Sequence, residues 1–178
     1  EIIGAGSDLT ILDGGNTAKI LFIYEPETDK TNANVSISGI TFQNGNYDDY
    51  AGGLHVECYS VVITIENNFF INNVGDEEGG GLYAYSYDEQ VNVINNVFQG
   101  NSVVDSGDGG GAFIGSRSGT INAINNTFIE NTSDDYGGGL CVSSFLDDHI
   151  AEINVYNNII WNNVSTNEPS SSDLYAYD

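Results

Sequence analysis

Short runs of apolar residues alternate with single polar residues along most of the chain, and these runs recur in one fixed order. The stretch from Ile63 to Leu82 reads ITIENNFFINNVGDEEGGGL, with a β-branched run, an Asn pair, a Phe, a second Asn pair, an acidic patch and a Gly triplet. The same order returns three more times with little change. An alternation of period two is that of β-strands, and helical periodicity is absent, so the pattern predicts short strands joined by turns.

The length of the repeat follows from the spacing of the Phe after the Asn pair. This residue lies at Phe42, Phe70, Phe98 and Phe128, with Ile160 and Leu12 as degenerate copies, and consecutive copies are 28 to 32 residues apart. Strand-forming repeats of this length predict the coils of a solenoid, in which equivalent residues stack at about 4.8 Å. We therefore expect an all-β, single-stranded, right-handed parallel β-helix of about six coils, with residues 1–178 as a single domain.

Substitutions between copies indicate the direction of each column of equivalent residues. The first Asn column contains Gly39, Asn67, Asn95, Asn125 and Asn157, and an exchange of Gly with Asn indicates a left-handed turn residue. The same exchange three residues after the Phe predicts a second left-handed corner at Gly45, Asn73, Asn101, Asn131 and Asn163.

The second Asn column contains Ile40, Asn68, Asn96, Asn126 and Asn158. Because Ile replaces Asn in this column, the side chains are expected to point inward, beside the Phe column, and to form a buried amide ladder. These Asn and Phe residues are assigned a structural role.

The net charge of the chain disfavours two classes of binding partner. Three basic residues against 26 acidic ones give a net charge of −23, which disfavours binding to nucleic acid and to anionic membranes. No apolar run approaches the length of about 20 residues that a membrane-spanning helix needs. The chain begins without Met or a signal peptide, so we interpret it as a mature or excised form of a longer secreted chain.

The loops before the glycines carry the candidate metal ligands. Their carboxylates are Asp48, Asp49, Asp76, Glu77, Glu78, Asp105, Asp108, Asp134, Asp135 and Asp173. Stacked coils would line these groups along one edge, where calcium would relieve their repulsion and take oxygen ligands from adjacent coils. The alternative is a solvated acidic edge that keeps the rod soluble, and no loop matches the EF-hand or the calcium-binding nonapeptide.

The aromatic residues and the cysteines give weaker indications of function than the acidic loops do. Tyr83, Tyr85 and Tyr87 share the outward face of one strand, which suits stacking on glycans or contact with a protein, with coverage by overlying loops as the alternative. The two cysteines, Cys58 and Cys141, lie three coils apart, too far for a disulfide, and Cys58 is expected in the core.

The succession IIGAGSDLTILDGG, VSISGITFQNGN, NN-x-F with GGGL, NNIIWNN and DLYAY resembles the surface-anchored parallel β-helix repeat proteins of bacteria and archaea. These include the choice-of-anchor and polymorphic outer-membrane repeat groups. The resemblance covers essentially the whole chain and implies secretion and a cell-surface location. The chain departs from the pattern by stopping at Asp178, where further coils and an anchor would be expected.

These observations lead to three ranked hypotheses. The first is a secreted structural or surface protein, a filament or adhesin-like stalk whose uncapped ends associate and whose acidic edge binds calcium. The second is a carbohydrate-binding surface module. The third is a polysaccharide lyase or glycosidase, which is disfavoured because the basic residues are only Lys19, Lys30 and Arg117 and no carboxylate pair is singled out.

Overall fold

The protein is an all-β parallel solenoid. The computed structural model describes residues 1–28, 33–144 and 151–177, and the strands in these ranges form four parallel sheets of six, six, five and six strands. After the first turn, each turn of the chain contributes one strand to each sheet in sequence order. Five complete turns of four strands follow a first turn of three strands. The predicted fold is confirmed, with about five full turns against the six coils expected.

The strands are named here by sheet, in the order in which a turn visits the sheets. The first sheet contains β1 (Ile2–Ile3), β4 (Val35–Ser38), β8 (Ile63–Glu66), β12 (Val91–Ile94), β16 (Thr120–Ile124) and β20 (Glu152–Tyr156). The second contains β2 (Ile11–Asp13), β5 (Thr41–Gln43), β9 (Phe69–Ile71), β13 (Val97–Gln99), β17 (Thr127–Ile129) and β21 (Ile159–Trp161). The third contains β6 (Asn46–Tyr47), β10 (Val74–Gly75), β14 (Ser102–Val103), β18 (Thr132–Ser133) and β22 (Val164–Ser165). The fourth contains β3 (Leu21–Tyr24), β7 (Leu54–Cys58), β11 (Leu82–Ser86), β15 (Ala112–Ser116), β19 (Leu140–Ser144) and β23 (Leu174–Tyr177). A short 3₁₀ helix, Pro169–Ser171, precedes β23.

The core is a set of stacked columns inside the four sheets. Phe42, Phe70, Phe98 and Phe128 are fully buried, and their ring centroids are 5.1, 4.7 and 4.6 Å apart with nearly parallel planes. Aliphatic columns from the first and fourth sheets surround this stack. The predicted Phe column is therefore confirmed, and its spacing follows from the distance between parallel strands.

The first corner and the first amide ladder are as predicted. Positive φ angles occur at Gly39, Asn67, Asn95, Asn125 and Asn157. In the next column the side-chain Nδ2 of each Asn donates to Oδ1 of the Asn one turn on. These bonds run from Asn68 to Asn96, from Asn96 to Asn126 and from Asn126 to Asn158, at 3.2, 3.1 and 3.2 Å. Asn68, Asn96 and Asn126 are buried, and Asn158, in the last turn, is half-buried.

The second corner corrects the prediction by one residue. The positive φ angles lie at Asn44, Asn72, Gly100, Glu130 and Asn162. The column predicted as the corner is instead a second buried ladder, in which Asn73, Asn101, Asn131 and Asn163 are bonded amide to amide at 2.9, 3.0 and 2.9 Å. Glycine is required at position 45 of this column because there is no room for a side chain. A Cβ atom on Gly45 would lie 2.0 Å from the carbonyl oxygen of Gly52.

The two cysteines lie in different layers. Cys58 belongs to the inner core, whereas Cys141 packs on the outer face of the fourth sheet with Tyr85 and Phe113. Both thiols are free and buried, and burial raises the pKa of Cys58 to about 11. No helix among the described residues is long and apolar enough to cross a membrane.

Candidate functional site: the acidic edge and the outer face of the fourth sheet

All ten predicted carboxylates lie in the loops that lead from the third sheet to the fourth. They follow β6, β10, β14, β18 and β22 in turn, so the solenoid brings them to a single edge, called here the acidic edge. Sequence reasoning located this edge correctly because every copy occupies the same part of its repeat. Their proposed function as calcium ligands stays a prediction.

Two of these carboxylates lie in one column, one turn apart. The backbone N–H of Ala51 donates to the carbonyl of Glu78, that of Gly79 to Asp108, and that of Gly109 to Tyr136. Tyr50, Glu78, Asp108 and Tyr136 are therefore equivalent residues in four consecutive turns, and the Cα atoms of Glu78 and Asp108 are separated by about one strand spacing, ~4.8 Å.

Glu78 is the most perturbed acid of the edge. Its Oε2 atom is buried and accepts no hydrogen bond from the described residues. Burial, followed by the charges of Glu77, Asp108 and Asp49, raises the pKa of Glu78 to about 7. Burial also raises the pKa of Asp108, although this carboxylate accepts a hydrogen bond from the backbone N–H of Tyr136 at 2.9 Å. An ionised pair at this point of the edge is destabilising.

Other acids of the edge already bind protein donors. Oδ1 of Asp173 accepts the backbone N–H and the side-chain amide of Asn163, at 3.3 and 3.0 Å, and so terminates the second amide ladder. Asp135 accepts the amide of Asn167 at 2.9 Å. In the ranges 1–28, 33–144 and 151–177, no three His, Cys, Asp or Glu side chains form a group that could hold a metal ion.

The three predicted tyrosines lie on the outer face of the fourth sheet, as expected, but they are not freely exposed. Tyr85 is only 6% exposed, and Tyr83 and Tyr87 are half-buried. They pack with Phe113 and Cys141 into a second apolar cluster outside the solenoid. Aromatic side chains of neighbouring turns therefore cover Tyr85, and glycan binding at Tyr83, Tyr85 and Tyr87 stays a prediction.

A cavity of about 270 Å³ adjoins this outer face near the first turns, and sequence reasoning missed it. Its lining residues are Lys19, Phe22, Tyr47, Asp49 and His55. The ammonium of Lys19 lies 3.2 Å from Nδ1 of His55 and 4.2 Å from the centroid of the Tyr47 ring. Burial lowers the pKa of Lys19, and the charges of Asp49 and Asp48 oppose this shift.

His55 connects the cavity to the half-buried carboxylate of Glu57. It is 4% exposed, and its Nε2 lies 3.5 Å from Oε2 of Glu57. The pKa of Glu57 is lowered, first by the nearby imidazole of His55 and also by the hydroxyl of Tyr87, which donates to it at 2.9 Å. One feature could have indicated this cavity from the sequence. It is the column of aromatic and imidazole side chains in three consecutive turns, formed by Phe22, His55 and Tyr83. Lys30, the other lysine, lies outside the described residues.

Comparisons of the chain with protein-family models, with curated proteins and with solved structures gave no significant match. The parallel β-solenoid is established by the structure itself. Membership in the surface-anchored repeat groups stays a prediction from the sequence motifs.

Proposed function

We propose that the chain is a rod-forming segment of a secreted cell-surface protein, and that its two ends stack head to tail on further parallel turns. The observation that supports this most is the exposure of inner-column residues at both ends. Ile2, Leu12 and Leu174 belong to columns that are fully buried in the middle turns, yet they are 40%, 37% and 39% exposed.

Exposed apolar side chains also concentrate at the ends. Among the described residues, 15 large hydrophobic side chains are exposed, and only Tyr47, Phe69 and Val104 of these lie in the middle turns. The remainder are Ile2, Ile3, Leu9, Ile11, Leu12, Phe22 and Tyr24 in the first turn, and Tyr156, Ile159, Trp161, Val164 and Leu174 in the last. Apolar surface of this kind marks a contact with another protein segment.

The two ends are complementary in register. A copy placed one turn beyond the last would put Ile2 over Val155, Leu12 over Ile160 and Leu21 over Leu174, continuing three apolar columns. The open strand edges would pair at the same time, which is the geometry of β-strand addition. Such a contact is heterologous and does not close, so it builds a rod. Further turns of a longer chain would use the same surfaces.

The test uses variants that block one end each. Leu12→Asp should disable the first turn and Leu174→Asp the last, so each variant alone should be monomeric where the parent chain forms longer species. A mixture of the two should form dimers only, because one functional end remains on each molecule. Light scattering after size-exclusion chromatography measures this.

Val104→Asp is the matched control, because Val104 is 53% exposed but lies in a middle turn. It should assemble like the parent chain. A parent chain that stays monomeric at high concentration, or one-end variants that assemble unchanged, would contradict the proposal.

We further propose that calcium binds along the acidic edge. The support is the unpartnered Oε2 of Glu78, the raised pKa values of Glu78 and Asp108, and their repetition one turn apart. A bound divalent ion should stabilise the fold by mass action, by about 2.7 kcal/mol at a concentration of 100 times Kd. Thermal melting in calcium, in magnesium and in a chelator tests this, and a melting temperature that is identical in all three would contradict it.

The proposed role is not enzymatic. Glu78 and Asp108 are carboxylates one turn apart, but nothing in the described loops assigns them distinct roles toward a sugar. Release of reducing ends from polysaccharides, lost in Glu78→Gln, would overturn this part of the proposal.

A further inference from the structure

Two tyrosines of the middle turns are stacked face to face just beyond the fourth sheet. Tyr59 follows β7 and Tyr87 follows β11, and the backbone N–H of Asp88 donates to the carbonyl of Tyr59 at 3.1 Å, so the two tyrosines are one turn apart in register. Their ring centroids are 3.9 Å apart and their planes differ by 7°. Carbon atoms of the two rings are therefore in van der Waals contact.

The phenol groups of this pair lie next to each other and next to a base. The hydroxyl of Tyr87 donates to the carboxylate of Glu57 at 2.9 Å. Burial raises the pKa of Tyr87, and hydrogen bonds with Tyr59 and Glu57 raise it further. The two hydroxyls are thus at the same end of the stack, and the ring carbons beside them, the ortho carbons, face each other. The pKa of Glu57 is lowered by the nearby imidazole of His55, so the carboxylate is ionised and can accept a phenolic proton.

The opposite face of Tyr87 is occupied by the next turn. The backbone N–H of Ser118 donates to the carbonyl of Tyr87, and the Cζ atom of Arg117 lies 5.7 Å from the centroid of the Tyr87 ring. Arg117 is held there by an ion pair with Asp88. Tyr87 therefore lies between a guanidinium on one face and the ring of Tyr59 on the other.

We propose that Tyr59 and Tyr87 form an oxidative cross-linking site, at which hydrogen peroxide, with a haem peroxidase as catalyst, joins the two rings by a carbon–carbon bond. Each phenol gives one electron to the oxidant and loses its hydroxyl proton, that of Tyr87 to Glu57 and that of Tyr59 to solvent. The two phenoxyl radicals couple at their ortho carbons, and the hydrogen on each of these carbons then moves to the oxygen of its ring. The peroxide takes up the two electrons and two protons and becomes two molecules of water.

The stacked geometry favours this pair over its neighbours. Radical coupling forms the new bond through the faces of the two rings, and parallel rings in contact need no encounter in solution. Tyr50 and Tyr83 have centroids 4.6 Å apart, but their planes differ by 39°. Tyr85 meets Tyr87 edge to face, with planes 72° apart. The cross-linking site belongs to the middle turns, so this inference does not depend on the stacking of the rod ends.

The test treats the full chain, at low concentration, with hydrogen peroxide and a haem peroxidase. Dityrosine fluorescence should appear in the monomer, and the product should be located by mass spectrometry after denaturation and digestion with a protease that cleaves after Glu. Cleavage after Glu66, Glu77 and Glu78 separates the two tyrosines in an unlinked chain. A linked pair of peptides, lighter by two hydrogen atoms than the separate peptides together, identifies the bond. The linked monomer should also melt at a higher temperature, because the link constrains the unfolded chain.

Tyr59→Phe and Tyr87→Phe should each abolish the fluorescence of the monomer, because phenylalanine keeps the stacked ring but has no phenol to oxidise. Glu57→Gln should slow the reaction several-fold, since an amide is a much weaker base than a carboxylate. Tyr136→Phe is the matched control, because Tyr136 also stacks on a tyrosine, Tyr175, but at 4.4 Å with planes 21° apart. It should leave the yield unchanged.

Three results would overturn the proposal. They are a parent monomer without dityrosine, a link that maps to tyrosines other than Tyr59 and Tyr87, and an unchanged yield in either Tyr59→Phe or Tyr87→Phe.

Discussion

The amide ladders and the acidic edge are both columns of repeated polar side chains, yet stacking has opposite consequences in them. In the first ladder, Oδ1 of Asn96 accepts two hydrogen bonds from Asn68 while its Nδ2 donates to Asn126, so each rung satisfies the next. At the acidic edge, Glu78 and Asp108 lie one turn apart and both carry raised pKa values. The strand spacing is the same in both places.

The difference lies in the hydrogen-bonding groups of the side chains. An amide carries a donor and an acceptor, so identical copies translated by about 4.8 Å bond to one another. An ionised carboxylate only accepts, so identical copies repel. A solenoid repeats each side chain at this spacing. A column of amides is therefore stabilised at every turn by hydrogen bonds, whereas a column of carboxylates is destabilised at every turn by repulsion.

The largest predicted effect comes from placing a carboxylate in the ladder. Asn96→Asp keeps the shape of the side chain but replaces the donor that reaches Ile65 O at 2.9 Å and Asn126 Oδ1 at 3.1 Å. We expect a loss of about 3–5 kcal/mol in the free energy of unfolding at pH 8, because a buried site then contains facing acceptors. Part of the loss should be recovered at low pH, where the protonated carboxyl regains a donor. Urea denaturation at both pH values measures this.

Asn122→Asp is the matched control for that change. Asn122 belongs to a half-buried outer column in which its amide donates to Asn92 at 2.9 Å. Water replaces the lost partner there, so the expected loss is about 1 kcal/mol or less. Equal losses at the two positions would refute the claim that burial makes the ladder sensitive to a missing donor.

The reverse exchange, an amide placed in the acidic edge, should stabilise the protein. The pKa of Glu78 is about 7 in the fold against an ordinary value of 4.5, so the folded state holds this proton more tightly than the unfolded chain. Its contribution to stability is present below pH 4.5 and is lost as the pH rises through about 7. Glu78→Gln should therefore gain about 2 kcal/mol at pH 8, after allowance for solvent screening, and nothing near pH 4.

Glu130→Gln separates this local effect from a general effect of net charge. Glu130 is exposed and lies away from the acidic edge, after β17. Removing its charge should change stability by less than about 0.5 kcal/mol at any pH. A gain equal to that of Glu78→Gln would mean that the total charge of −23, rather than the column of Glu78 and Asp108, limits stability.

Sequence patterns predicted one of the two amide ladders and missed the other, for a physical reason. In the column of Asn68, the replacement of Asn by Ile40 identified an inward position, and the structure confirms it. In the column of Asn73, Gly45 indicated a left-handed corner and the prediction was wrong. Glycine is required there by the carbonyl of Gly52 rather than by its φ angle, and a sequence does not distinguish these two causes.

The outer face was predicted only in part because its burial depends on neighbours from other turns. Alternation placed Tyr85 outward correctly, but the residues that cover Tyr85 come from the adjacent turn and from Tyr87. The cavity of Lys19 combines residues from three strands and two loops in the same way. The residues that form one column can be identified from the sequence, because they occupy the same position in every repeat. Contacts between residues of different columns can be identified only from the structure.

The smallest predicted effect concerns the second left-handed corner, at Glu130. Neither the amide ladders nor the acidic edge affects the stability of this corner. Glu130 has a φ of 58°, and the equivalent residue one turn earlier is Gly100, with a φ of 64°. Because a left-handed conformation strains a residue with a Cβ, Glu130→Gly should stabilise the protein by about 0.5–1 kcal/mol, with the greater chain entropy of glycine opposing part of the gain. Glu130→Asn should follow the same direction, since Asn44, Asn72 and Asn162 occupy this corner in other turns. Thermal melts of both variants beside Glu130→Gln isolate the backbone contribution, and a destabilised Glu130→Gly would show that side-chain contacts of Glu130 outweigh its backbone strain.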